Sequence, residues 1–546
     1  MRYAGRLTAS RGIFWNMWRR KKMDSIFKRR MKENHKWFLY MSLIYGGIFV
    51  LCMYRNLSGI TFPIVIAAAL GFSILFLKKT DITLQKGTIR YFIGIILLGI
   101  STVLTDNGFF HFFNGVGILL LYMMAMVHQL YQDQQWGFTE YVKKFFILFG
   151  TWIISVGDIF HGREKNKDGK TERAVADETK SAEKTEIQEE NNSVDKSQHM
   201  WIKSKNVRAV LIGILAAILM LAVVLPLLMM SDRVFSQIFN SFFSIVNPFR
   251  LLEEIDIWNI AGVVLTFLFG MVSLYAFFAG LFRMNLGGTD TKKTGKKNPV
   301  TGITFTGIMA AVYVLYSGIQ IVVLFLRLDT GLPDGVTYSQ YAHEGFWQLL
   351  FVSIINFVTV LICANIFEEN RSLKILLTVL SICTCIMIIS AAYRMILYVN
   401  EYNLTFLRVL VLWFLAVLTV IFIGVIYSIY RRNFGLFRYM TAVVSVGYIL
   451  LSLGRPDALI ANYNIENTTE MGEKDLYYLM YGLSDDAAPE IAKIDCTETE
   501  NIWMIQHLDS YFRMVRGKND DTSLREWNYS RARAEETARS WIQKNE

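Results

Sequence analysis

Residues 403–427 read NLTFLRVLVLWFLAVLTVIFIGVIY, twenty-five residues with one charged side chain, Arg408. At about 1.5 Å per residue, a helix of that length crosses the ~30 Å hydrocarbon core of a bilayer. Working outward, comparable apolar runs fall at 37–54, 60–77, 90–105, 109–131, 206–229, 258–282, 300–326, 346–366, 373–396 and 438–453. The pattern predicts an all-α, polytopic helical membrane protein with about eleven transmembrane helices. Composition agrees, since 53% hydrophobic and 19% charged residues are too apolar and too lightly charged for an ordinary soluble enzyme.

Charge is unevenly distributed along the 546 residues. The head, 1–36, holds twelve basic and two acidic side chains, whereas 454–546 holds eleven basic and eighteen acidic ones. Lys and Arg favour the cytoplasmic side of a membrane, so a basic head and an acidic tail suggest opposite faces. Nucleic acid is not expected as a partner, because the head shows neither aromatic interleaving nor a recognisable module. Residues 139–160 decide the parity. They contain Glu140, Lys143, Lys144 and Asp158 around a short apolar patch, and could be a further span or an interfacial helix. If they do not cross, the basic connectors around Lys78/Lys79/Lys86, Lys292/Lys293/Lys296/Lys297, Arg371/Lys374 and Arg431/Arg432/Arg438 all face the cytoplasm. The connectors Arg55-Asn56-Leu57, Thr105-Asp106-Asn107 and Asn400 to Asn403 then face outward. That arrangement is preferred, and it gives the chain a cytoplasmic N-terminus and an extracytoplasmic C-terminus. No cleavable signal peptide is expected, since no small-residue cleavage site follows the first apolar run.

The expected organisation is a cytoplasmic head (1–36), a four-helix membrane unit (37–131), an interfacial helix (132–160) and a disordered charged linker (161–205). A seven-helix membrane unit (206–453) and a small helical extracytoplasmic tail (454–546) follow. The linker carries ten basic and ten acidic residues without an apolar face, as expected of a tether. Residues 230–257 space Phe235, Ile238, Phe239, Phe242 and Phe243 along one helical face, which suggests a surface helix. In the tail, Asp475 to Met480 reads as one helix, Pro489 as the start of another, and 523–544 as a last amphipathic one.

No catalytic signature is present. There is no phosphate-binding glycine loop, nucleophile elbow or paired-His motif, and the seven histidines are scattered, so neither catalytic residues, a cofactor nor a metal site is expected. Cys52, Cys363, Cys383 and Cys385 lie in apolar runs and read as packing residues, and Cys496 stands alone. The charged residues at span ends are the best functional pointers, because charge in a membrane is expensive and is normally kept with a partner. Arg327, Asp329, His343, Glu344, Arg394, Glu401 and Arg408 gather toward the outer face. They could converge on a lipid headgroup or polar ligand, or serve as snorkelling residues and structural ion pairs. Tyr338, Tyr341, Tyr398 and Tyr402 flank the same edges, as an interface belt or a binding shelf. Asp106, in a tight hairpin, reads as a turn residue.

The stretches LPDGVTYSQYAHEGFWQLLFVSIIN (332–356), SAAYRMILYVNEYNLTFLRVLVLW (390–413), GRPDALIANYNIE (454–466) and DLYYLMYGLSDDAAPEI (475–491) resemble two families of bacterial multi-spanning proteins. These are domain of unknown function family 4173 and its relative 4153. LPLLMMSDRVF (225–235) fits the same pattern. The resemblance implies a motif core that includes Tyr338, Tyr341, Glu344, Arg394, Tyr398, Tyr402, Arg408, Asp457 and Asn464, but no activity. One departure is visible. Tyr402-Asn403-Leu404-Thr405 stands where the pattern has Tyr-Gly-Leu-Thr, and asparagine tolerates the positive φ such a turn needs.

The leading expectation is a non-enzymatic integral membrane protein with a sensing, regulatory or assembly role in the envelope. Its outer loops and acidic tail would meet an envelope protein or a lipid headgroup. The alternative is a transporter or lipid-handling protein for a polar or anionic substrate. An enzyme using Glu344 and His343 as acid and base is the weakest reading.

Overall fold

The computed structural model describes residues 29–131, 138–159, 257–283, 297–325, 338–431, 434–468, 471–494, 502–518 and 523–545. Among them, ten helices are long and apolar enough to cross a membrane. These are α1 (His35–Met53), α2 (Thr61–Lys79), α3 (Lys86–Leu104), α4 (Gly108–Leu130), α6 (Ile257–Arg283), α7 (Pro299–Phe325), α8 (Tyr338–Ile366), α9 (Arg371–Tyr402), α10 (Phe406–Tyr430) and α11 (Leu436–Leu453). The expected class holds, an all-α polytopic membrane protein. The described residues contain no strand, only one isolated bridge between Lys297 and Phe367. Helix α5 (Phe138–Ile154), with its 3₁₀ continuation Ser155–Ile159, is not among the ten. The expected span at 206–229, the head up to 28, the linker 161–205 and the surface helix up to 256 lie outside the described residues.

The chain divides into two compact units, 1–54 with 146–285, and 55–145 with 286–546. In the first, α1 packs along α6 through small residues that let the backbones approach. A side chain at Gly46 would strike Met271, and one at Gly270 would strike Phe49. Phe49 meets Phe269 with ring centres 5.9 Å apart, and His35 Nδ1 lies 2.7 Å from the Tyr275 hydroxyl.

The second unit is held by apolar layers and by uncharged polar ties. Leu349, Met387, Ile388, Leu418 and Phe422 form one buried cluster between α8, α9 and α10. Asn114 of α4 donates to Thr102 Oγ1 at 3.1 Å, and it accepts from the Tyr448 hydroxyl at 3.0 Å and from Ser452 Oγ at 3.1 Å. A buried amide in hydrocarbon needs such partners, which tie α3, α4 and α11 together. Asn356 bonds Thr384 at 2.9 Å, and Ser390 bonds Gln320 at 2.7 Å, in the same manner. Outward-facing Ile308, Leu315, Phe351 and Ile423 are exposed, as a lipid-facing surface requires.

At one end of this unit, Gln129 joins the start of α3 to the end of α4, and Arg438 Nη2 sits 3.0 Å from His128 Nδ1. The α2–α3 connector, Lys297 and the starts of α9 and α11 share that end, so Lys78, Lys79, Lys86, Lys297, Arg371, Lys374 and Arg438 lie there together. The tail covers the opposite end. It consists of α12 (Pro456–Asn467), α13 (Glu473–Tyr477) running into a π turn (Tyr478–Gly482), a 3₁₀ turn (Asp485–Ala487), α14 (Ala488–Ile491), α15 (Ile502–Gly517), a second 3₁₀ turn (Leu524–Glu526) and α16 (Tyr529–Asn545). Its core is its own. Leu476, Leu479, Ile491, Leu508, Phe512, Val515, Ala538 and Trp541 are all buried together, with Phe512 stacked on Trp541 at 4.8 Å.

Candidate functional site

The tail meets the span connectors through a buried polar seam. Its centre is Asp486, 1% exposed, at the start of the short 3₁₀ turn. Its carboxylate accepts from Thr105 Oγ1 at 2.5 Å, from the Asp106 amide at 3.1 Å and from Ser530 Oγ. Arg455 Nη2 lies 3.9 Å away and balances its charge. One tail carboxylate thus fastens the α3–α4 connector to the start of α16.

Around it the contacts repeat a theme in which side chains of the tail satisfy backbone groups at span ends. Helix ends leave amides and carbonyls unpaired, and a buried end must find partners for them. Asn528 Nδ2 reaches three carbonyls, Ser58 at 3.1 Å, Thr102 at 3.3 Å and Thr105 at 3.1 Å, while its Oδ1 accepts from Ser530 N at 2.9 Å and so caps α16. Asn464 pairs with both backbone groups of Leu404, at 2.8 and 2.9 Å. The Tyr478 hydroxyl accepts from Phe406 N at 3.0 Å at the start of α10.

Charge enters at three further points. Arg531 Nε donates to Asp106 Oδ1 at 2.6 Å, and Nη2 of the same residue donates to Ser58 Oγ at 3.0 Å. Lys518 Nζ lies 3.0 Å from Asp485 Oδ1. Asp457, 1% exposed, receives everything on one oxygen. Oδ2 accepts from Asn107 Nδ2 at 2.8 Å, Ser484 N at 3.0 Å and Ser484 Oγ at 2.6 Å, while Oδ1 takes no hydrogen bond from the described residues.

Burial pushes the Asp106 carboxyl above the ordinary carboxylate range, and neighbouring Asp485 adds to the rise, against the pull of Arg531 and Lys518. Burial also raises Asp457, helped by Asp486 and opposed by the Ser484 and Asn107 hydrogen bonds. Burial thus favours the protonated form of both carboxyls, in a seam that fastens the span connectors to the tail. Among the described residues no group of three or more metal-ligating side chains comes together.

The residues expected from sequence scatter over several settings. Asp457 and Asn464 belong to the seam. Arg408 lies at its edge, close enough to act on the Tyr478 hydroxyl, with its guanidinium 4.2 Å over the Tyr398 ring and its Nη1 donating to Tyr402 O at 2.5 Å and to Asn403 O. It caps the end of α9, whose last turn also packs Tyr398 against Tyr402, with ring centres 5.0 Å apart and the planes tilted by 50°. Asn403 adopts φ 61°, as expected of a residue standing in for glycine. Arg394 is half-buried on α9 and Glu401 is exposed in its last turn. Tyr338, Tyr341, His343 and Glu344 lie in the first turns of α8, and Arg327 and Asp329 fall outside the described residues. Asp106 lies in the α3–α4 connector, as expected of a turn residue, and is also the acidic partner of Arg531. Sequence reasoning missed Asp486, Asn528, Ser530 and Arg531. The capping pattern Asn528-Tyr529-Ser530 ahead of a helical stretch was the one available signal.

A family model described as Domain of unknown function (DUF4153) matches residues 92–494, most of the chain. The protein belongs to that family. The match is to the relative rather than to family 4173. No curated protein matches this DUF4153 chain, and no solved structure does. The matched range takes in Thr105 to Asn107, Asp457, Asn464 and Asp486 but stops before Lys518, Asn528, Ser530 and Arg531. One half of the DUF4153 seam thus lies inside the family's range and the other half beyond it.

Proposed function

We propose that the protein is a non-enzymatic envelope protein of the bacterial cytoplasmic membrane that senses, regulates or assembles through its tail-bearing end. The head faces the cytoplasm and the tail faces outward. The observation that carries this reading is the attachment of the tail by Asp486, Asn528 and the Asp106–Arg531 pair to the connectors of the spans. Such a polar joint transmits. A partner or headgroup that changes the hold of the tail acts directly on the ends of α3, α4 and α10. The gathering of basic connectors at the far end of the unit supports the orientation, because Lys and Arg mark the cytoplasmic side. The buried polar residues of the described spans are uncharged, and Asn114, Gln320 and Asn356 are hydrogen-bonded to Thr102, Ser390 and Thr384 of neighbouring helices, which supports binding over conduction of an ion or anionic substrate.

Two measurements test this. Single cysteines at Asn166 and Asn519, in a chain whose Cys496 is replaced, are treated in intact cells with a membrane-impermeant thiol reagent. Labelling at 519 and silence at 166 is expected, and the reverse overturns the orientation. An envelope-stress reporter is then compared between the wild type and Arg531→Ala. Unchanged output from a variant whose tail is measurably loosened overturns the regulatory reading.

A further inference from the structure

Leu524 is 89% exposed, more than any other large apolar residue described, although it sits in a well-anchored turn. The 3₁₀ turn Leu524–Glu526 is pressed against the α1–α2 connector by its backbone. Trp527 O accepts from Ile60 N at 2.9 Å, and Arg525 O accepts from Asn56 Nδ2 at 2.8 Å. A side chain at Gly59 would run into Arg525 O and the Glu526 backbone, so glycine permits the approach. The exposure of Leu524 is thus built into the docked tail rather than a result of a loose end.

The neighbours of this turn decide what covers it. Trp527 is 42% exposed, and Leu57 and Ile60 of the adjoining connector are exposed as well. Ile64, one turn into α2, continues the same apolar surface into a span. The exposed apolar strip made by the turn, the connector bonded to it and the first turn of α2 lies where that membrane helix leaves the hydrocarbon. Tryptophan favours this depth, with its ring among the headgroups, and leucine gains by entering the acyl boundary. Arg525 and Glu526 between them are only partly exposed and long enough to reach the headgroup layer.

We infer that the Leu524–Trp527 turn is a membrane anchor of the tail, inserted into the lipid interface beside the start of α2. The occupant is the phospholipid bilayer, and the inference holds whichever face of the membrane the tail occupies. A second copy of the chain on this strip would have to cover the span surface of α2 too.

The test uses the full chain in vesicles of phosphatidylethanolamine and phosphatidylglycerol, with the photoreactive residue p-benzoylphenylalanine placed singly at 524, 57 or 502. Ile502 is 69% exposed at the start of α15, on a different element of the tail, and serves as the exposed apolar reference. After irradiation, intact-protein mass spectrometry is expected to show phospholipid adducts at 524 and 57, at least five-fold above 502. Adducts at 57 without adducts at 524 place the turn off the bilayer and overturn the anchor. Cross-linked dimers at 524 in place of lipid adducts assign the strip to a second copy and overturn it equally. Position 57 reports that the connector is seated in lipid, so loss of signal through misfolding is distinguishable from a turn standing clear of the membrane.

Discussion

Arg408 and Arg531 belong to the same unit and both end on oxygen atoms near span termini, yet they do different work. Arg408 satisfies carbonyls five and six residues before it and stacks on Tyr398, closing the hairpin it belongs to. Arg531 reaches Asp106 across 425 residues of chain and joins two elements that nothing local would hold together. The comparison teaches that an arginine at a span end is a stabiliser or a coupler according to where its acceptor comes from. Its own flanking sequence does not say which.

The largest effect expected is at the acid both halves of the seam share. Asp486→Ala leaves the Thr105 and Ser530 hydroxyls and the Asp106 amide buried without an acceptor, and should loosen the tail by roughly 3–5 kcal/mol. Protease protection of the tail in vesicles reads this directly, and an undiminished lifetime would remove the seam as the point of attachment. Arg531→Ala should cost about 2–4 kcal/mol by stranding Asp106, with partial recovery in Arg531→Lys, while Arg408→Ala should cost about 1 kcal/mol through loss of a cap and a cation–π contact. Equal losses at the two positions, measured by thermal unfolding in detergent, would erase the distinction between them. Asn464→Ala, which unpairs both backbone groups of Leu404, should fall between, at about 1–2 kcal/mol.

The smallest effect sharpens the comparison through pH. Asp106 and Asp457 titrate above the ordinary carboxylate range in the docked state, so docking takes up protons. Their contribution is fully present below the carboxyl pKa of the released tail and is lost as pH rises through the raised docked value. The groups facing them are Asp485, Asp486, Arg455, Arg531, Lys518 and Tyr478, with His111 Nε2 nearby on Thr105 O at 2.8 Å. Tail protection from hydrogen exchange should therefore rise modestly from pH 8 to pH 5. Asp457→Asn keeps an acceptor for Ser484 and Asn107 and should flatten part of that slope with little loss of stability. A variant as pH-sensitive as the wild type would exclude Asp457 as a contributor.

The spans were largely legible. The expected 258–282, 300–326 and 438–453 correspond to Ile257–Arg283, Pro299–Phe325 and Leu436–Leu453, because long apolar runs admit few alternatives in lipid. Helix α9 exceeds its expected end at 396 and continues to Tyr402. Polar residues in the last turns of a helix look like a connector when read by hydropathy alone. In the tail, α12 and α15 went unseen. PDALIANYNIEN has no clear apolar face, and its helix depends on Pro456 at the first position and on packing against the seam. The seam itself was illegible for a different reason. Asp457 and Asn464 stood out through the family resemblance, but their partners Asn107 and Leu404 lie 350 and 60 residues away, and hydrogen-bond pairing over such separations leaves no periodicity to read.

The seam also constrains biosynthesis. Asn56 finds Arg525 O only after 469 further residues have been made, and Asp106 waits 425 residues for Arg531. Early spans must therefore stand in the bilayer with their connectors open while the rest is translated, and contacts of such separation close late. Arrival of α16 is the event that seals the first hairpins.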